Sequence, residues 1–94
     1  MALYVILSNL TDQGRKTIKN RPERIREVNT EIEAIGGKVL AQYACLGPYD
    51  FVNIVEAANN EVIVRISVEL GSRGTLQLMT LPAIKIDDLI ARIP

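Results

Sequence analysis

One short stretch, Leu46-Gly47-Pro48-Tyr49-Asp50-Phe51, separates two strand-like runs at mid-chain and limits the possible folds more than any other. Glycine before proline adopts backbone angles closed to residues with a Cβ. Pro48 fixes its own φ, donates no N–H and pushes Gly47 away from helix. The pair ends one strand and aims the next. Lys38 to Leu46 and Asp50 to Ala57 are therefore expected to form an antiparallel hairpin. Asp50 is suited to accept hydrogen bonds from turn amides, and Tyr49 offers an apolar ring with a hydroxyl at its tip. Two readings stay open: a turn that satisfies its own polar groups, and a turn that also lines a ligand cleft.

The remaining elements follow in chain order. Leu3 to Ser8 is β-branched and apolar with almost no polar break, as in a central strand covered on both faces. Residues 9–20 read as a polar connection, with Thr11-Asp12-Gln13-Gly14 as a turn signal and room for a helical turn at 15–19. Asn20-Arg21-Pro22-Glu23 announces a helix, with Asn20 as its expected cap. Ile25, Val28, Ile32 and Ile35 then share one helical face, and Gly36-Gly37 ends it. In the next strand Gln42 interrupts one face, while Val39, Ala41, Tyr43 and Cys45 share the other. Asn53 is the polar interruption of the strand after it.

Residues 61–70 carry two patterns. Val62, Val64, Ile66, Val68 and Leu70 alternate as in a strand, and local pattern alone favours that reading. Asn60-Glu61 and Gly71 look like helix start and stop, with Ile63, Ile66 and Leu70 on one helical face. Thr75 to Leu81 is a strand ended by Pro82, and Asp87 is expected to cap a short apolar tail helix. That tail is expected to act as an arm onto a neighbouring subunit.

The chain's 94 residues suit one domain, 1–94. Hydrophobic residues make up 48% and aromatics only 4%, more aliphatic surface than so small a core absorbs, so a homodimer or larger homo-oligomer is expected. Eleven basic side chains balance eleven acidic ones, which disfavours nucleic acid as a partner. The cluster of Arg15, Lys16, Lys19, Arg21, Arg24 and Arg26 reads as a solvated helix start, with an anion patch as the alternative. Cys45 is alone, and no histidine exists to build Ser-His, Cys-His or His-metal chemistry. No apolar run approaches the ~20 residues of a membrane span, and Met1-Ala2-Leu3 lacks a charged leader, so no membrane association and a cytoplasmic location are expected.

With these elements placed, the sequence resembles the GYD-domain family of small bacterial and archaeal proteins, named for a Gly-x-Tyr-Asp signature. Gly47-Pro48-Tyr49-Asp50 matches that signature. Thr11-Asp12-Gln13-Gly14 is similar to the family's Thr-x-x-Gly, Gly36-Gly37-Lys38 to its helix-to-strand turn, and Leu70-Gly71-Ser72, Gly74 and Thr80-Leu81 to its later segments. The resemblance implies an α+β, ferredoxin-like βαββαβ sandwich with an antiparallel four-stranded sheet, closing into a dimeric α/β barrel on association. It implies helix, against the local pattern, at 61–70. The hairpin also resembles one in the ligand-sensing domain of leucine-responsive and asparagine-type regulators.

In such a fold both helices pack on one sheet face. The other face is expected to carry Tyr4, Ile6, Phe51, Val55 and Met79, with Gln42, Asn53 and Gln77 as polar groups within an apolar seam. The expected function is an oligomeric small-molecule-binding or regulatory module, its ligand held near the sheet face or subunit interface by Tyr49, Asp50, Asn53, Tyr43 and Tyr4. No cofactor is implied. The alternatives are a cofactor-independent monooxygenase or isomerase of the dimeric-barrel kind, and a purely structural assembly protein.

Overall fold

A computed structural model describes residues 1–94. The elements are β1 (Ala2–Leu10), α1 (Asp12–Asn20), α2 (Arg24–Ile35), β2 (Lys38–Ala44), β3 (Phe51–Ala57), α3 (Asn60–Gly71), β4 (Leu76–Ala83) and α4 (Ile86–Arg92). The sheet has four strands in the order β2-β3-β1-β4, and every pairing is antiparallel. With α2 and α3 on one face this is the ferredoxin-like arrangement. No helix is long and apolar enough to cross a membrane.

Residues 61–70 are helical despite their alternation. The Asn59 side chain accepts the Val62 N–H at 3.1 Å and caps the helix. Ile63, Ile66 and Leu70 are buried in the core, while Val64 and Val68 face outward. A strand would have placed Val64 and Val68 beside Ile66 on one face. Burial of the helical stripe overrides the β preference of the individual residues.

Within the expected connection at 9–20, residues 9 and 10 continue β1 and Asp12–Asn20 form a nine-residue helix. The Thr11 hydroxyl accepts the Gly14 N–H at 3.1 Å and donates to the Gly74 carbonyl at 2.7 Å, while the Thr11 N–H donates to the Thr75 carbonyl at 3.0 Å. One residue thus starts α1 and pins it to the α3–β4 connection. A Cβ on Gly14 would lie 2.1 Å from the Thr75 oxygen, so only glycine permits that approach. Asn20 ends α1 instead of capping α2, whose N-cap position is Glu23 with no side-chain bond. Gly36 closes α2 at φ 113°, as expected for a left-handed cap.

Several element boundaries differ from expectation. The β2–β3 connection spans residues 45–50, and its Cys45 N–H donates to the Asp50 carbonyl at 2.8 Å. β4 continues through Pro82 to Ala83, because β4 is an edge strand and a missing N–H is tolerated there. The final helix starts at Ile86 without a side-chain cap, and Asp87 lies in its first turn.

The faces of the sheet are the reverse of the expected assignment for most residues. Opposed residues of antiparallel strands share a face. Tyr4 opposes Val55, and Ile6 opposes Asn53; all are buried beneath the helices. Phe51 opposes Ser8, and Gln42 opposes Asn53, on that same side. Of the residues expected on the open face, Met79 and Gln77 are there, through their pairing with Leu7 and Asn9. The open face is instead built around Leu3, Val5 and Leu7 of β1, with Val52 and Ile54 beside them on β3 and Met79 and Leu81 on β4. A register shift between Val39 and Ala41 splits the side of β2 expected to be continuous, leaving Val39 with the core and Ala41 and Tyr43 on the open face.

Candidate functional site

The Gly-Pro turn is built by backbone geometry. Gly47 sits at φ 115°, a conformation that side chains disfavour. Asp50 then ties the turn to β1: its N–H donates to the Ser8 carbonyl at 2.9 Å, and its carboxylate accepts the Leu10 N–H at 2.8 Å. The neighbouring Tyr49 hydroxyl donates to the Met79 Sδ at 3.5 Å.

The candidate residues occupy separate places. Tyr49, through Met79, and Tyr43, through its pairing with Val52, belong to the open face, where Tyr43 is 60% exposed. Asp50 is in the turn. Tyr4 is buried in the core, and its hydroxyl donates to Asn60 Oδ1 at 2.6 Å, joining β1 to the start of α3. Asn53 lies on the helix side of the sheet, 7% exposed, and its side-chain oxygen has no hydrogen-bond partner. No single cleft gathers all of these side chains.

Asn53 opens onto a cavity of about 220 Å³ between the sheet and helices α1 and α2. Its floor includes Ser8, Gln42 and Phe51, and its roof includes Thr17, Ile18, Ile25 and Val28. Leu70, Arg73, Thr75 and Leu76 also line it. Gln42 is held in place because its Oε1 accepts Asn29 Nδ2 at 2.9 Å. Sequence reasoning singled out Asn53 and Gln42 as polar breaks in apolar strands. It missed Ser8, whose signal was a hydroxyl continuing the alternation of Tyr4 and Ile6; it placed Arg24 only in the basic cluster at the helix start and assigned no site to Arg73.

Those two arginines belong to an ion-pair network along the cavity wall. Arg24 bonds Glu27 at 2.8 Å and Glu31 at 3.0 Å, while Arg73 bonds Glu69 at 3.2 Å and also Glu31. Burial is the largest single influence on Glu31 and pushes its carboxyl up. Hydrogen bonds from Arg73 and then Arg24, with the attraction of both guanidinium charges, together outweigh it and hold the group below its ordinary value. The bond to Glu27, then that to Glu31, raises Arg24 in turn; Arg73 is raised chiefly by Glu31. The wall is therefore charged but internally paired. No three histidine, cysteine, aspartate or glutamate side chains converge as a metal ion requires.

Comparison with known proteins agrees with this architecture. The family model described as GYD domain matches residues 4–93. The chain is 52% identical over 94 residues to the "glutamine synthetase and cystathionine beta-lyase binding protein" of Thermus thermophilus, covering 99% of each. Among solved structures it is similar in fold to MtbAldR, with TM-score 0.68 and 22% identity over 89% of this chain; it spans only 52% of that chain. It is also similar to a second Thermus thermophilus protein, TTHA0845, with TM-score 0.57 and 22% identity, covering 90% of this chain and 95% of the other.

Proposed function

The chain belongs to the GYD-domain family, and from that premise we propose that it is a non-catalytic binding and regulatory module that self-associates and docks on metabolic enzymes. The observation that carries this reading is the 52% identity, across 99% of both chains, to a protein named for binding glutamine synthetase and cystathionine β-lyase. Because the identity runs the full length of both chains, enzymes of those two kinds are the partners proposed here.

Two features support self-association. The open face, with Leu3, Val5, Leu7, Val52 and Ile54 at its centre, has no helix covering it. Ile84, Ile86, Ile90 and Ile93, on and around α4, are each more than 60% exposed, and no α4 side chain is buried against the rest of the fold. Apolar surface of this extent is covered in stable proteins. Pairing two open faces about a two-fold axis covers both at once and leaves each tail free to lie on the partner. Tyr43 and Tyr49 flank that seam, the part of the candidate site best placed for a ligand held between subunits. Asp50 and Tyr4 serve the scaffold in this reading.

The test is a titration of each purified enzyme, from the same organism, over immobilised full-length chain. Saturable binding of at least one enzyme is expected. If neither binds at micromolar concentration, while the chain is folded by circular dichroism, the proposal fails.

A further inference from the structure

The cavity behind the sheet has a feature that simple packing does not account for. Buried polar atoms in proteins are almost always hydrogen-bonded. Asn53 is 7% exposed, lines the cavity, and has an unpartnered oxygen. We infer that this cavity is a binding site for a small neutral molecule with an apolar body and an N–H or O–H donor directed at Asn53.

Size, lining and charge each narrow the ligand. Apolar cavities of about 150 Å³ admit benzene. The volume here, about 220 Å³, suits a single ring or branched chain bearing one polar group. Leu10, Ile18, Ile25, Val28, Phe51 and Leu76 supply apolar walls for that body. The polar groups converge on the floor: Gln42 stands directly opposite Asn53 in the strand register, and Ser8 is 3% exposed on the neighbouring strand. Small-molecule sites combine these elements, an apolar enclosure with a few placed polar atoms.

Charge selects neutrality. Arg24 and Arg73 are already bonded to Glu27, Glu31 and Glu69. A carboxylate or phosphate entering the cavity would find no uncommitted cation. A cationic ligand would lose its hydration to apolar walls with no carboxylate free to replace it. The unpartnered oxygen of Asn53 calls for a donor instead. This inference stands apart from the docking of partner enzymes and holds whether or not that occurs.

The experiment is an amide-resolved NMR titration of the full chain with indole, phenol, toluene and benzoate. Indole and phenol are expected to shift the amides of Ser8, Val28, Asn53 and Leu76 saturably. Toluene, with no donor, is expected to bind about threefold to tenfold more weakly than phenol, and benzoate not to bind. Asn53→Leu keeps the approximate shape and removes the acceptor, so phenol should lose its advantage over toluene. Absence of saturable shifts with every probe at millimolar concentration would show a cavity that holds water alone and overturn the inference. A preference for benzoate, or an unchanged phenol preference in Asn53→Leu, would overturn it equally. The wild-type titration decides the matter without the variant if Asn53→Leu fails to fold.

Discussion

The Asp50 carboxylate accepts the backbone N–H of Leu10 at 2.8 Å, joining the Gly-Pro turn to the end of the central strand. Two substitutions separate the charge from the bond. Asp50→Asn keeps an acceptor and should cost at most ~1 kcal/mol. Asp50→Ala leaves the Leu10 N–H without that partner and should cost ~1–3 kcal/mol. Urea unfolding of both variants checks the order. Equal losses would mean that the carboxylate does not hold the turn through this bond.

Gly14→Ala reverses a general rule. Within a helix, alanine is favoured over glycine by ~1 kcal/mol. Here the added Cβ would meet the Thr75 oxygen at 2.1 Å, a backbone atom that cannot rotate away. A net loss of ~1–3 kcal/mol is expected, or roughly 4–24 °C in Tm for a domain of this size. A thermal scan that finds the variant as stable as the wild type would place α1 farther from the α3–β4 connection than described.

Glu31 confers a defined pH dependence. Its carboxyl is held below the ordinary value of 4.5, because burial, which raises it, is outweighed by the hydrogen bonds and charges of Arg73 and Arg24 together. A depressed carboxylate contributes stability that is fully present above its unfolded value and is lost as pH falls through its folded value. The stability gap between wild type and Glu31→Gln should therefore be constant at neutral pH and shrink on acidification below 4.5. Denaturant titrations of both proteins across that range supply the comparison; a gap that does not depend on pH would contradict the network.

Leu7 lies at the middle of the open face, opposite Val52 on one side and Met79 on the other. Leu7→Glu places a charge in the proposed seam without touching the core beneath the helices. Light scattering should report a monomer at micromolar concentration, with the circular dichroism spectrum of the wild type. An assembly that survives this substitution unchanged is not formed through the open face.

The legibility of the chain varied with the kind of signal each segment carried. The Gly-Pro turn and Gly36 announced themselves, because their backbone conformations demand those residue types. The helix at 60–71 followed from family resemblance rather than from alternation, since its exposed Val64 and Val68 carry no sign of exposure in their identity. The face of β1 could not be read: Leu3, Tyr4, Val5, Ile6 and Leu7 are apolar at both parities, so period two has nothing to mark. That ambiguity moved Tyr4, Ile6 and Val55 from the expected open face to the core. It also hid the cavity, whose polar floor becomes one cluster only when Ser8, Gln42 and Asn53 are known to share the helix side. Arg73 was invisible as a partner of Glu31 because forty-two positions separate them in sequence.

Native mass spectrometry of the full chain, alone and mixed with purified glutamine synthetase and cystathionine β-lyase, tests the central proposal most directly. The expected result is a free protein at twice the 10.4 kDa chain mass or a higher multiple, and a mixture containing that assembly bound to at least one enzyme. A 10.4 kDa monomer that stays unbound in the presence of both enzymes would contradict it.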